Sequence, residues 1–160
     1  MYDAFKIGIK NNTAYIYVWV SINHNYVYVG QTARDEYGVI GRAYEHIHNS
    51  NDELHWGTLR KDVYANLEIP LEDIDDFYLF SFPLPNDLQH PEYIASLKAR
   101  EAVEYMVKVG WNKQVKRRYR RNLLCKSYAT PHVEEDTEIN HIVADEIVNA
   151  CMDAIKNKMT

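Results

Sequence analysis

The sequence predicts an α/β (α+β) fold, with a small, mainly antiparallel three-stranded sheet flanked by helices and followed by a C-terminal helical extension. Two tyrosine-rich, β-branched runs flank a polar turn near the N-terminus, and a nearly continuous apolar run follows at residues 77–82. Such residues favour strands. Apolar residues recur at helical spacing in segments 39–49, 58–67, 91–109 and 130–158, which predicts the helices.

A hairpin is predicted over residues 14–32, where two strand-like runs flank four turn residues. With a four-residue loop, Trp19 pairs with Tyr28 and Tyr17 pairs with Gly30. Side chains alternate between the two faces of a strand, so the aromatic residues then share one face and the valines and isoleucines fill the other. Tyr17 and Tyr28 become diagonal neighbours that could act on one ligand, although ordinary aromatic packing gives the same pattern.

Shorter elements surround the hairpin. Residues 1–12 form a polar lead-in whose apolar residues alternate as in an edge strand. The helix expected over 39–49 is followed by a second over Thr58–Leu67, which Pro70 terminates. The first of these helices is expected to bury Ile40, Ala43, Tyr44 and Ile47.

Two long helical patterns complete the chain. The first covers residues 91–109, and Gly110 suits its C-cap. The last covers residues 130–158, where a Thr-Pro pair favours a helix start, and its clear periodicity indicates packing on the body or on a partner. The first pattern places these residues on the buried face: Ile94, Leu97, Ala102, Tyr105, Met106 and Val109.

Length and composition favour one soluble globular body of 160 residues, 46% hydrophobic and 26% charged. We divide it into a core at residues 1–112 and a basic segment with an acidic helix at residues 113–160. No signal peptide or membrane-spanning stretch is predicted, which favours the cytoplasm. Cys125 and Cys151 are too few for a disulfide framework or a cysteine-rich zinc site, and we expect both to be buried.

The net charge of −5 conceals two opposed segments. Residues 132–160 hold seven acids and two lysines, whereas residues 98–121 hold nine basic residues and two acids. The acidic helix could cap the body, form an oligomer or bind a partner, or cover the basic block as an autoinhibitory arm. Basic clusters bind phosphate backbones, although pairing with acidic residues is the alternative. The basic residues expected to contact nucleic acid are Lys113, Lys116, Arg117, Arg118, Arg120 and Arg121.

Four motifs occur in a fixed order over residues 14–112. Tyr15-Ile16-Tyr17 is followed by Tyr28-Val29-Gly30, then by Arg42 with His46 one helical turn later, and then by Glu101 and Asn112. Because these motifs occur in this order and on these predicted elements, the chain resembles the GIY-YIG nuclease family. Tyr15 stands where the family's first glycine is usual, and Gln31-Thr32 replace a lysine often found after the second tripeptide.

The resemblance implies an endonuclease that hydrolyses DNA phosphodiester bonds with one divalent metal ion, Mg²⁺ or Mn²⁺. Glu101 would hold the metal, and Arg42, with His46 on the same helix face, would stabilise the transition-state charge. Tyr28 would be the general base or align the attacking water, and Tyr17 would hydrogen-bond the phosphate or the water.

Residue chemistry leaves alternatives beside these roles. A single carboxylate suits Mg²⁺, which keeps its waters, and Glu104, one turn from Glu101, is the second possible ligand. Gly30 and Asn112 are expected to support the site structurally. A phenol has a pKa of about 10, so Tyr28 needs nearby positive charge to act as a base near neutral pH.

Two other functions fit the same residues. One is a catalytically inactive regulatory protein on this fold that binds nucleic acid or protein, which the acidic helix favours. The other is an endonuclease that acts on RNA. The residues do not select among phage, mobile-element, restriction or defence settings.

Overall fold

The computed structural model describes residues 12–33, 37–118 and 122–159, so the edge strand expected in residues 1–12 lies almost wholly outside them. Among the described residues, three strands form one antiparallel sheet in the order β2-β1-β3. The strands are β1 Tyr15–Ser21, β2 Tyr26–Thr32 and β3 Phe77–Pro83. Helices flank this sheet and one follows it at the C-terminus, which confirms the predicted fold class.

Five α-helices are described: α1 Gly38–Ile47, α2 Thr58–Leu67, α3 Glu92–Ala95, α4 Leu97–Arg118 and α5 Glu138–Met159. Short 3₁₀ turns lie at Glu53–His55, Leu71–Asp73 and Val133–Glu135. No helix in the described ranges is both long and apolar enough to cross a membrane.

The predicted boundaries of both long helices are wrong, and the first of them is divided at Ser96 into α3 and α4. Gly110 does not cap a helix, because α4 continues through it to Arg118. The last helix begins at Glu138 rather than near residue 130, since the Thr137 hydroxyl accepts the backbone N–H of Asn140 and caps it there.

The hairpin has the predicted four-residue loop and therefore the predicted register. Tyr17 pairs with Gly30 and Trp19 with Tyr28. Asn25, with φ 52°, closes the turn by donating its backbone N–H to the Ile22 carbonyl at 3.2 Å. Tyr17 and Tyr28 consequently lie on one face, as diagonal neighbours.

The valine face of the sheet packs on α4, which is the central helix of the molecule. The buried stripe of α4 differs from the predicted one: Val109 is 46% exposed and Leu97 is 51% exposed. Instead, every fourth residue packs in the core with the sheet, namely Ala99, Val103, Val107, Trp111 and Val115. The prediction failed because α4 contacts both the sheet and α5, so apolar residues occur on more than one of its faces.

Residues 122–128 tie α4 to the edge of the sheet. Asn112 donates to the Cys125 carbonyl at 3.0 Å and accepts the Cys125 backbone N–H at 2.8 Å. Cys125 also forms a parallel bridge with Val27 of β2. The boundary drawn at residue 112 thus falls inside α4, and α5 shares one hydrophobic cluster with the sheet.

The aromatic face of the sheet packs against α1 and α2. The apolar face predicted for α1 is wrong, because Ile40, Tyr44 and Ile47 are exposed. Its buried residues are Gly38, Val39 and His46, so the side of α1 that packs on the sheet carries a histidine beside an apolar residue. This orientation brings the α1 side chains onto the tyrosine face.

Candidate functional site

Tyr17 is the centre of the site, and Gly30 provides the space for it. The Tyr17 side chain is 2% exposed, and a Cβ atom placed on Gly30, its partner across the ladder, would overlap the Tyr17 ring. Any larger residue at position 30 would displace the phenol. Glycine is thus required at position 30 because the Tyr17 ring approaches the backbone closely, and not because of the backbone angles of Gly30.

A chain of hydrogen bonds passes through the Tyr17 hydroxyl. Arg42 bonds this oxygen, and a guanidinium can only donate. The Tyr17 hydrogen is therefore directed at His46 Nε2, 2.5 Å from the phenol oxygen. The other side of Arg42 is fixed by Glu45, with 3.0 Å between Nη1 and Oε2. Tyr17 and Glu45 together hold the guanidinium, which remains about one-third exposed.

His46 is a neutral acceptor in this chain. Burial and, secondarily, the positive charge of Arg42 lower the pKa of His46 to about 3. Because Nε2 accepts from Tyr17, the imidazole hydrogen lies on Nδ1, which has no hydrogen-bond partner among the described residues. His46 thus orients Tyr17 and carries no charge of its own near neutral pH.

Tyr28 contributes the second phenol. Its ring meets the His46 ring edge-on, with 5.4 Å between centroids, and its half-buried hydroxyl bonds to none of the described residues. Burial raises the pKa of Tyr28, the charges of Tyr17 and Glu104 raise it further, and Arg42 acts in the opposite direction. Tyr28 is therefore a neutral phenol with a free hydrogen-bonding group.

Glu104 on α4 supplies the carboxylate whose charge acts on both tyrosines. Burial, together with the charge of Glu101, raises the pKa of Glu104 to about 8, against the opposing effects of Arg42 and Lys108. No hydrogen bond links its carboxylate to another described residue. An ionised Glu104 is consequently a negative charge that its surroundings do not balance.

Glu101, the carboxylate expected to hold a metal, is engaged elsewhere. Its Oε2 lies 2.7 Å from His132 Nε2, in the segment that leads into α5. The charge of Glu101 raises the pKa of Glu104, and the charge of Glu104 in turn raises the pKa of Tyr17 and of Tyr28. Glu104, the second possible ligand, is therefore the carboxylate that is electrostatically coupled to both tyrosines.

Glu104 could serve as the one protein ligand of a hard divalent cation. Glu104 offers an unpaired, largely buried carboxylate, and one carboxylate with completing waters suits Mg²⁺. In the described parts of the chain, no three His, Cys, Asp or Glu side chains cluster closely enough to form an all-protein metal site. A softer, fully ligated ion such as structural zinc does not fit these residues.

Lys108 and Ser127 support the α4 side of the site. Lys108 lies one turn beyond Glu104 and donates to the Ser127 carbonyl at 2.5 Å. The Ser127 hydroxyl accepts the backbone N–H of Val29 at 3.3 Å, next to Tyr28. Asn112 belongs to the same support, since it donates to the Cys125 carbonyl and accepts the Cys125 backbone N–H.

The basic residues predicted to contact nucleic acid follow the site along α4. Lys113, Lys116 and Arg117 are exposed on its last turns. The Arg118 side chain and residues Arg120 and Arg121 lie outside the described part of the structure, so the prediction for them stays a prediction.

Two contributors had no strong signal in the sequence. His132 is one of seven histidines and pairs with Glu101 across 31 residues. Lys108 shares the i, i+4 spacing with Glu104, a pattern that could have been found but is common on solvated helices.

Comparisons with protein-family models, with curated proteins and with solved structures gave no match. The resemblance to the GIY-YIG nucleases therefore stays a prediction from the motifs, and the function must be argued from the site.

Proposed function

We propose that this protein is a divalent-metal-dependent endonuclease that hydrolyses phosphodiester bonds of DNA. The observation that carries the proposal is the convergence of a free phenol, a fixed guanidinium and an unbalanced carboxylate on one site: Tyr28, Arg42 and Glu104. Phosphodiester hydrolysis needs an oriented water, cationic stabilisation of the transition state and help for the leaving oxygen. These side chains match those needs.

Arg42 binds the scissile phosphate in this proposal. Tyr17 and Glu45 fix its guanidinium, and the exposed part of the fork can donate to two phosphate oxygens. Tyr17 acts as a positioning residue, because its oxygen accepts from Arg42 and its hydrogen goes to His46. It has little capacity left for a direct bond to the substrate.

Tyr28 orients the attacking water through its free hydroxyl. Removing the phenol proton is opposed by burial and by the charge of Glu104, whereas Arg42 favours it. The neutral phenol therefore aligns the water, and its use as a base depends on positive charge next to Glu104.

Glu104 would hold the metal ion, Mg²⁺ or Mn²⁺. When bound, the ion supplies positive charge that stabilises the transition state and the leaving oxygen. The raised pKa of Glu104 is consistent with a carboxylate that lacks a cationic partner. The exposed Lys113, Lys116 and Arg117 extend the positive surface along α4 for the phosphate backbone.

The test is nicking of supercoiled plasmid by the full chain, with Mg²⁺ or Mn²⁺, comparing wild type with Tyr28→Phe. We expect nicking by wild type and a loss of about ten- to a hundredfold in Tyr28→Phe, because the water loses its hydroxyl partner. Tyr44→Phe is the matched control, since Tyr44 is 68% exposed on the outer face of α1. It should nick at the wild-type rate.

Three results would contradict the proposal. Equal rates for Tyr28→Phe and wild type would remove Tyr28 from the mechanism. DNA binding without nicking under either metal would favour a regulatory binding protein on this fold. Cleavage of an RNA of the same sequence, with intact DNA, would make RNA the substrate.

A further inference from the structure

A groove on the far side of α4 lies apart from the tyrosine site, and it shares with the proposed nuclease the residue Lys113 at one end. It encloses a cavity of about 470 Å³ between α4, residues 131–136 and the first turns of α5. The lining residues of α4 run from Ala102 to Lys113, which at 1.5 Å per residue makes a groove about 16 Å long. That length accommodates about three turns of a helix or a short extended peptide.

The floor of the groove is apolar and partly open to solvent. It includes Met106, Val109 and Gly110, and Val109 is 46% exposed. Across the groove, Val133 is 84% exposed. Exposed apolar side chains that line one cavity are typical of surfaces that bind another molecule.

The wall and surroundings of the groove are acidic. Asp136 and Asp145 line the side formed by residues 131–136 and α5, together with His132 and His141, and Lys113 lies at one end of the groove. His141 lies 2.5 Å from Asp136, so this carboxylate has a local partner, whereas Asp145 is exposed. Residues 132–160 as a whole carry seven acids against two lysines. This charge disfavours a nucleic acid in the groove and favours a cationic occupant.

We propose that the groove docks a basic segment of a partner protein, which inserts apolar side chains against Val109 and Val133 and places Lys or Arg beside Asp145. Amphipathic peptides bind apolar grooves in this way, with apolar anchors spaced along one face and charges that set orientation. The proposal does not rest on nuclease activity. Glu104 lies on another face of α4, so the groove can be filled while the tyrosine site remains open.

The test uses the full chain and a synthetic amphipathic peptide of about 14 residues, with leucines at helical spacing and lysines on the flanks. Titration is followed by calorimetry and by the methyl NMR signals of Val109 and Val133. We expect binding that shifts both methyl signals, and an affinity about tenfold lower for Asp145→Lys because like charges then meet. Glu146→Lys is the matched control, since it makes the same charge change on the next residue, which does not line the groove.

Several outcomes would overturn the proposal. The first is that the peptide does not bind. The second is that Asp145→Lys and Glu146→Lys lower the affinity for the peptide equally. The third is that a peptide with serine in place of leucine binds with the same affinity as the leucine peptide. A single-stranded oligonucleotide that shifts the same methyl signals would show that the occupant is nucleic acid. A wild-type dimer that Asp145→Lys dissociates would show that it is a second copy of this chain. Unchanged circular dichroism and thermal midpoints in both variants verify that the substitutions leave the fold intact.

Discussion

Glu104 and His46 are ionisable side chains that the fold keeps largely away from solvent, with opposite consequences for charge. Burial favours the protonated form of the carboxyl group and the neutral form of the imidazole. Both groups are therefore uncharged over part of the pH range in which they would be charged in the unfolded chain. Substitution of either residue should therefore change how the unfolding free energy depends on pH, whether or not the protein is catalytically active.

Glu104→Gln should stabilise the metal-free protein at alkaline pH. The pKa of Glu104 is raised from 4.5 to about 8, so the folded state holds this proton more tightly and wild-type stability falls as pH rises through that window. Glutamine has no such charge to bury. We expect the variant to gain on the order of 1–3 kcal/mol over wild type between about pH 5 and about pH 9. Urea unfolding in EDTA measures the difference, and a difference that is independent of pH would contradict the burial of Glu104.

His46→Gln should remove an acid-sensitive contribution to stability. The pKa of His46 is lowered from 6.5 to about 3. Between these two pH values, His46 is protonated in the unfolded chain and neutral in the folded protein. This contribution is present above pH 6.5 and is lost as pH falls. Wild-type unfolding free energy should therefore decline by up to about 1.4 kcal/mol per pH unit more steeply than that of the variant. Parallel curves in urea titrations down to about pH 4 would show that His46 is accessible to protons.

The hairpin, α1 and α4 differ in how far the sequence could define them. The hairpin register followed from one assumption, a four-residue loop, because strand alternation then fixes every pair. In α1 the apolar stripe is exposed and His46 is buried, since a hydrogen bond to Tyr17, 29 positions away, satisfies its Nε2. No local pattern shows such a partner. In α4 the predicted buried stripe was wrong at Leu97 and Val109, whereas the choice of Glu101 over Glu104 came from the family resemblance and not from periodicity.

Gly30→Ala tests the packing between the paired strands of the hairpin. The added Cβ would overlap the Tyr17 ring, so we expect a loss of about 1–3 kcal/mol in unfolding free energy and impaired placement of Arg42. Gly110→Ala is the control within α4, where the new Cβ would meet Val148 Cγ2 at 3.3 Å. Its cost should stay within about 1 kcal/mol, because alanine also favours the helix. Equal effects of the two substitutions in urea unfolding would be inconsistent with close approach at Gly30.

At the scale of the whole molecule, α5 belongs to the same core as the sheet. Its buried residues join one cluster with the valine face and with the central stripe of α4. Tyr93 also donates to the Asn140 side chain, which ties the start of α5 to the segment before α4. Of the roles left open by the sequence, capping the body is the one for which the structure shows contacts. Distant contacts of this kind cannot be read from helical periodicity, which shows only that some face is buried.

Ile155→Ala and Ile142→Ala distinguish an integral α5 from a detachable arm. Ile155 is 1% exposed and Ile142 is 51% exposed, on the same helix. We expect Ile155→Ala to lower the unfolding free energy by about 3 kcal/mol and Ile142→Ala to lower it by less than about 1 kcal/mol. Each variant should unfold in one cooperative transition. Small effects from both, or a separate transition for α5, would mean that the helix does not share the core.

The most direct test of the central claim compares Glu104→Gln with Glu101→Gln in the plasmid nicking assay. The two variants lose the same charge on neighbouring turns of α4, and the charge of Glu104 is the one that raises the pKa of both Tyr17 and Tyr28. We predict a loss of at least about a hundredfold for Glu104→Gln and about tenfold or less for Glu101→Gln, which loses the pairing to His132. The reverse order, or full activity of Glu104→Gln, would contradict the assignment of this site.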